Sequence, residues 1–376
     1  MLSLALAFLL AGCAHTSPLG YYWQGLRGHL ALMEAARPLP AWIADPATPP
    51  ALRERLELAQ RARAFAVAEL HLPNNASYRR YADLHRAAAV WNVVAAPPDS
   101  LVLHTWCFPI TGCIGYRGYF AEADARTEAA QLAAQGLEVS VYGVPAYSTL
   151  GYMNWLGGDP LLSTFVQWPE GDFVRLLFHE LAHQVVYARG DTAFNESFAT
   201  AVERLGSARW LATRPAARAA FEASEARRRQ FRALTRATRA RLAAIYEQKT
   251  ALAPTQSTLA AMKSEAMQDF RTRYAALRAQ WLAAPGGNPA QVAGYDRWVA
   301  EANNAAFGAQ AAYDGWVPAF EALFAREGGD WPRFYDAVRA LADQPAAQRR
   351  EALCALTPME TPCARHPHPT PAPARP

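Results

Sequence analysis

Apolar residues recur at three- and four-residue intervals through Tyr21–Arg37 and Leu52–Leu72, and the proline-rich break "PLPAWIADPATPP" separates the two runs. That spacing gathers apolar side chains on one helix face and predicts two amphipathic helices. The stretch "NASYRRYADLHRAAAVW" continues the pattern. Then the pattern changes. "WNVVAAP", "YRGYF" and "LEVSVYGV" are short β-branched or aromatic segments separated by Gly and Pro, which read as strands, and an Ala-rich helix, Glu122–Gln135, lies between the last two. Residues 91–150 are the only convincing β region. Pro169 and Gly171-Asp172 mark the start of a helix over 171–189, whose Val174, Leu177, Phe178, Leu181 and Val185 form one apolar stripe at i, i+3, i+4, i+7 and i+11. Gly190 stops it, and Asp191 or Thr192 can cap a second helix over 192–205. From about Arg214 to Trp281 two long helices broken near Pro254 are expected, then a turn at "APGGNP" and further helices. The fold class read from these periods is α+β, predominantly α-helical.

A chain of 376 residues, 52% of them hydrophobic, can bury one large core or two modest ones. This suits a catalytic core over residues 13–210 and a helical part over 211–356 that completes its cleft. The formal charge of +4 is divided between 37 basic and 33 acidic residues. The arginines of "EARRRQFRALTRATRARL" recur at helical spacing with no nucleic-acid motif near them, so they read as a solvated helix face and no nucleic-acid partner is expected. Residues 357–376, ending "HPHPTPAPARP", have the composition of a disordered tail.

The opening "MLSLALAFLLAGCAH" is too short an apolar run to span a bilayer and fits a signal peptide over residues 1–12. Leu10-Ala11-Gly12-Cys13 resembles the lipobox of bacterial lipoproteins. That resemblance implies lipidation of Cys13 and a membrane anchor, and Ala14 after it points to the periplasmic face of the outer membrane. Of the remaining cysteines, Cys107 and Cys113, and Cys354 and Cys363, each close a short proline-containing loop and are possible disulfides of an oxidising compartment. Spacing alone leaves their connectivity open.

Chemistry enters at "FHELAHQVVYARGDTAFNESFA". His179-Glu180-Leu181-Ala182-His183 is HExxH on the predicted helix. Histidines four apart project from one face and can meet a single metal ion, while Glu180 can reach a water bound to it. The motif is expected at mid-helix, opposite the apolar stripe. A third ligand must come from downstream. From His183 the helix rises roughly 9 Å to the Gly190 turn, and the next helix returns about 6 Å by Glu196. Glu203, two turns further along that face, comes back nearer His179, so spacing leaves both acids as candidates.

"HELAHQ" followed by "FNESFA" resembles the gluzincin pattern of zinc peptidases, HExxH with a downstream NExxA. The resemblance implies Zn2+ held by His179, His183 and Glu196, with Glu180 as general base. Longer stretches, among them "ELHLPNNASYRRYADL", "WCFPITGCIGYRGYF", "AYSTLGY" and "NNAAF", resemble a bacterial family of lipoprotein zinc peptidases grouped as predicted aminopeptidases, from about Tyr21 to Arg350. A zincin-like core acting on a peptide substrate is therefore expected. Tyr147 and Tyr152 are the candidates for stabilising the oxyanion, and "LEVSVYGV" is the candidate edge strand for substrate. Asn195 reads as a helix cap, and Asn303-Asn304 as solvated positions. The GxMEN element that binds the free amine in well-known gluzincin aminopeptidases is missing, which keeps a zinc endopeptidase or cell-wall peptide amidase as an alternative. A third is a non-catalytic envelope-assembly lipoprotein with a structural metal.

Overall fold

The computed structural model describes residues 18–108, 112–149, 157–252, 255–310 and 315–357. The chain runs through α1 (Pro18–Ala35), β1 (Arg37–Pro38), α2 (Leu39–Ala44), α3 (Pro50–Ala68), β2 (Arg80–Ala82) and β3 (Val90–Ala96). A short hairpin follows, β4 (Trp106–Phe108) and β5 (Gly112–Ile114), then β6 (Arg117–Tyr119), α4 (Glu122–Ala134), β7 (Glu138–Val144), β8 (Leu161–Leu162) and α5 (Ser163–Val166). The rest is helical: α6 (Glu170–Ala182), α7 (Thr192–Leu211), α8 (Pro215–Leu252), α9 (Gln256–Ala283), α10 (Pro289–Glu301), α11 (Asn304–Gln310), α12 (Val317–Arg326), α13 (Trp331–Ala342) and α14 (Ala346–Leu356). The architecture is α+β and mostly helical, in line with the periods in the sequence.

β3 is the middle strand of a three-stranded sheet, antiparallel to both β6 and β7. Alternation along β3 sends Val93 and Ala95 to one face, where they pack with Tyr119 on Ala125 and Leu132 of α4. It sends Val94 and Ala96 to the other, against Ala305 of α11 together with Tyr116 and Tyr142.

"NASYRRYADLHRAAAVW" is not a helix. Tyr78 and His85 take positive φ angles of 62° and 49°, a conformation no right-handed helix accommodates. Between them β2 pairs antiparallel with β1 and parallel with β8. This second three-stranded sheet extends the β structure beyond residues 91–150. Its strands hold two or three residues each, too few for a period of two to register in sequence.

One hydrophobic core joins α1, α3, α6 and α7 to α12, α13 and α14, and a separate one lies among α8, α9 and α10. The arginines of α8 are not simply solvated. Arg228 reaches Asp172 of α6 at 2.7 Å, and Arg241 reaches Glu265 of α9 at 2.7 Å. Among the described residues no helix is long and apolar enough to cross a membrane.

Candidate metal centre

α6 starts after Pro169 with Glu170 and Asp172 in its first turn, where carboxylates suit the positive end of the helix dipole. Val174, Leu177, Phe178 and Leu181 are all fully buried, as the stripe predicts. The helix is shorter than expected, ending at Ala182 instead of 189, with His183 as its C-cap residue. HExxH therefore occupies the last turn and not the middle. His183 keeps helical angles (φ −58°, ψ −21°), so both imidazoles still share one face.

The chain is diverted after His183 by long-range polar bonds of Gln184. Its amide donates to Ser77 Oγ (3.2 Å) and Asp159 Oδ2 (3.2 Å) and accepts from Asn75 Nδ2 (2.7 Å). Asp159, itself 1% exposed, also accepts from Thr149 N (2.9 Å) and Oγ1 (2.8 Å). Three separate sequence motifs thus meet at the turn behind the second histidine.

α7 is capped by Asp191, whose Oδ1 accepts from Phe194 N at 3.0 Å. Asn195 is not a cap. Its side chain accepts from Ala188 N (2.7 Å) and donates to Ala188 O (2.8 Å), so it fastens the loop between the helices and fixes the position of the next residue, Glu196. α6 and α7 share the most extensive helix contact among the described residues. Gly206 permits it: a Cβ there would lie 3.0 Å from the Phe178 ring and 2.7 Å from Leu70.

The outcome is a compact donor set. His179 Nε2 lies 3.1 Å from His183 Nε2 and 3.3 Å from Glu196 Oε2, and His183 Nε2 lies 3.8 Å from that oxygen. Tetrahedral bonds of about 2.0–2.1 Å place donors about 3.3 Å apart, so the three atoms fit around one ion. His179, His183 and Glu196 can hold a metal ion, and they are the one such cluster among the described residues. Glu203 takes the other role. Its Oε2 accepts from His179 Nδ1 at 2.9 Å, which leaves the Nε2 lone pair aimed at the other two donors. Arg175 stands behind Glu203 at 3.8 Å and bonds Glu225 of α8 at 3.1 Å.

Electrostatics divide the labour. Burial pushes the His183 imidazolium down to about 4, so the ring is neutral and free to ligate at pH 7. Burial acts on His179 in the same sense, but the carboxylates of Glu196 and Glu203 outweigh it and hold its pKa well above the ordinary value. Glu180 is pushed up to about 7, chiefly by burial, against the opposing pull of His179.

The remaining candidates are scattered. Tyr147 packs against Phe120 (5.0 Å) and His29 (5.8 Å). Tyr152, Cys13 and Cys363 lie outside the described residues. Asn304 is fully buried, donating to Pro97 O (3.0 Å) and accepting from Tyr246 OH (2.8 Å), while Asn303 donates to Val139 O (2.8 Å). Neither is a solvated position. Two tyrosines not singled out in the sequence lie within the electrostatic reach of the acids. Tyr116 has its pKa raised by burial and then by Glu196, with Glu180 also contributing. Tyr78, 1% exposed, has no hydrogen-bond partner for its hydroxyl among the described residues, and Glu180 is the charged group that most raises its pKa. Its left-handed backbone (φ 62°) is a conformation that no sequence period could have revealed.

The β4–β5 hairpin is closed by a Cys107–Cys113 disulfide. It rests on the loop between the ligand helices: a Cβ at Gly112 (φ +77°) would lie 3.2 Å from the Gly190 backbone.

No curated protein and no solved structure matches the chain. The model of a family described as "Putative aminopeptidase" matches residues 20–353, nearly the whole length, and the chain belongs to that family.

Proposed function

We propose that the protein is a zinc-dependent peptidase, an aminopeptidase in keeping with its family, with His179, His183 and Glu196 holding the ion and Glu180 as general base. The observation that carries this reading is the convergence of three donors within 3.1–3.8 Å of one another. Two His and one Glu are a donor set of catalytic zinc sites, in which a coordination position stays open. A structural zinc site has four protein ligands; the cluster among the described residues has three, which favours hydrolysis over a purely structural metal.

A bound ion supplies Lewis acidity, polarising the scissile carbonyl and making water acidic enough to attack near neutral pH. Glu180, poised at about 7, takes the proton of the attacking water and delivers it to the leaving amine. Glu203 keeps the His179 ring turned toward the ion. Tyr116 is our choice for the oxyanion donor, supported by its burial within the electrostatic reach of both Glu196 and Glu180. β7, at the edge of its sheet, is the rail along which an extended peptide would pair. The N-terminal segment supports a lipid anchor at Cys13 on the periplasmic face of the outer membrane.

Metal analysis of the purified full-length chain tests the reading, comparing the parent with His179→Ala and Glu196→Ala. One zinc per chain, lost in both variants, is the expected result. A parent that binds no metal overturns it. Peptides with free and with blocked N-termini then separate the modes: cleavage of the free form alone is expected of an aminopeptidase, and cleavage of both makes the enzyme an endopeptidase.

A further inference from the structure

Five large hydrophobic side chains are exposed among the described residues, and all but Val102 lie on α1: Tyr22 at 51%, Trp23 at 58%, Leu26 at 46% and Leu30 at 54%. At about 100° per residue, Tyr22, Leu26 and Leu30 climb one side of the helix and Trp23 flanks them, so the four share an arc of about 100°. The opposite side is fastened to the body. Gln24 bonds Gly118 O (3.4 Å) and Phe120 N (3.1 Å), the Arg117 guanidinium lies over the Tyr21 ring at 4.2 Å, and Leu32 is buried. Scattered exposed apolar residues are ordinary on a protein surface, but a contiguous set marks a contact.

We propose that this face of α1 lies in the interfacial zone of a lipid bilayer. Tyr and Trp have an apolar ring with a polar tip and settle at the headgroup level, and leucines of the same helix reach into the acyl boundary. Position in the chain favours lipid over a protein partner. Residues Ala14–Ser17 alone separate Cys13 from Pro18, and at most about 3.6 Å per residue keeps the start of α1 within about 18 Å of that cysteine. The placement rests on the anchor reading of Cys13; the chemistry of the face does not. The exposed Arg27 at the rim of the stripe suits an anionic headgroup.

The full-length chain, exported and purified in detergent, is reconstituted into phosphatidylethanolamine–phosphatidylglycerol vesicles with and without brominated acyl chains, which quench tryptophan on contact. The parent has 11 tryptophans. We expect bromolipid to remove one tryptophan's share of the emission from the parent and none from Trp23→Phe. Equal quenching of parent and variant, in a chain whose intact mass shows an acylated Cys13, overturns the docking and leaves the anchor standing. A second copy or residues 1–12 covering the stripe would also leave Trp23 unquenched, and overturns the proposal in the same way. An unacylated chain that still shows Trp23-dependent quenching supports the docking and removes the anchor.

Discussion

His179 is gripped on both sides, and that distinguishes two acids which spacing could not. Glu196 and Glu203 are two turns apart on one face of α7, so a ruler along the helix leaves both in range. Side-chain direction decides: Glu196 faces Nε2 and Glu203 faces Nδ1. Glu196→Ala should abolish metal binding, whereas Glu203→Ala should weaken it by about 10- to 100-fold, measured by competition with a chelator; equal losses would mean that the two carboxylates share one role. Glu180→Gln should retain the metal and lower kcat by at least about 10²-fold, and full activity in that variant would remove it as the base. The elevated His179 pKa fixes the sign of a pH effect. Metal must displace the proton held between the two acids, so apparent affinity should rise with pH, up to about tenfold per unit, and level off above that pKa. In the metal-free protein the linkage runs the other way. The raised pKa contributes stability that is fully present below the unfolded value of about 6.5 and is lost as pH rises through the folded one. Melting temperatures of metal-free and loaded protein across pH 6–9 check both slopes.

Among the elements, those with long periods were legible and those built on distant partners were not. The stripe of α6 and the pair α8 and α9 follow directly from spacing. The early end of α6 does not, because Gln184 answers to Asn75 and Ser77, more than 100 residues away. Asn304 is a similar case, its backbone N–H bonding Glu138 Oε2 at 2.7 Å. The Asn of "FNESFA" has a local partner, yet its role depends on a loop conformation that residue type alone leaves open. Replacing Asn195 by Ala would strand the N–H of Ala188, whose C=O keeps the Asp191 N–H at 3.2 Å, at a cost of about 1–3 kcal/mol. Denaturant unfolding reads this directly, and an unchanged midpoint would show that the loop does not depend on the pair.

Across the whole molecule, the core that carries the ligand helices also takes in α12, α13 and α14 from the far end of the chain. The two helices that carry the site therefore share their packing with the C-terminal ones. Order along the sequence hides this, since α8, α9 and α10 intervene with a core of their own. The disulfide hairpin adds a second long-range brace, and both its cysteines are exposed. Opening it with reductant, or replacing Cys107 and Cys113 by Ser, should cost about 2 kcal/mol of stability. The loop at Gly190 should loosen with it, seen as faster amide exchange across residues 184–191; exchange that stays slow there would uncouple hairpin and loop. The consequence is one of redox state. Where the surroundings are reducing the two thiols stay apart, and the spacer between α6 and α7 lacks its clasp. The order of the loop at Gly190 then becomes a readout of whether one small hairpin, far from it in sequence, is oxidised.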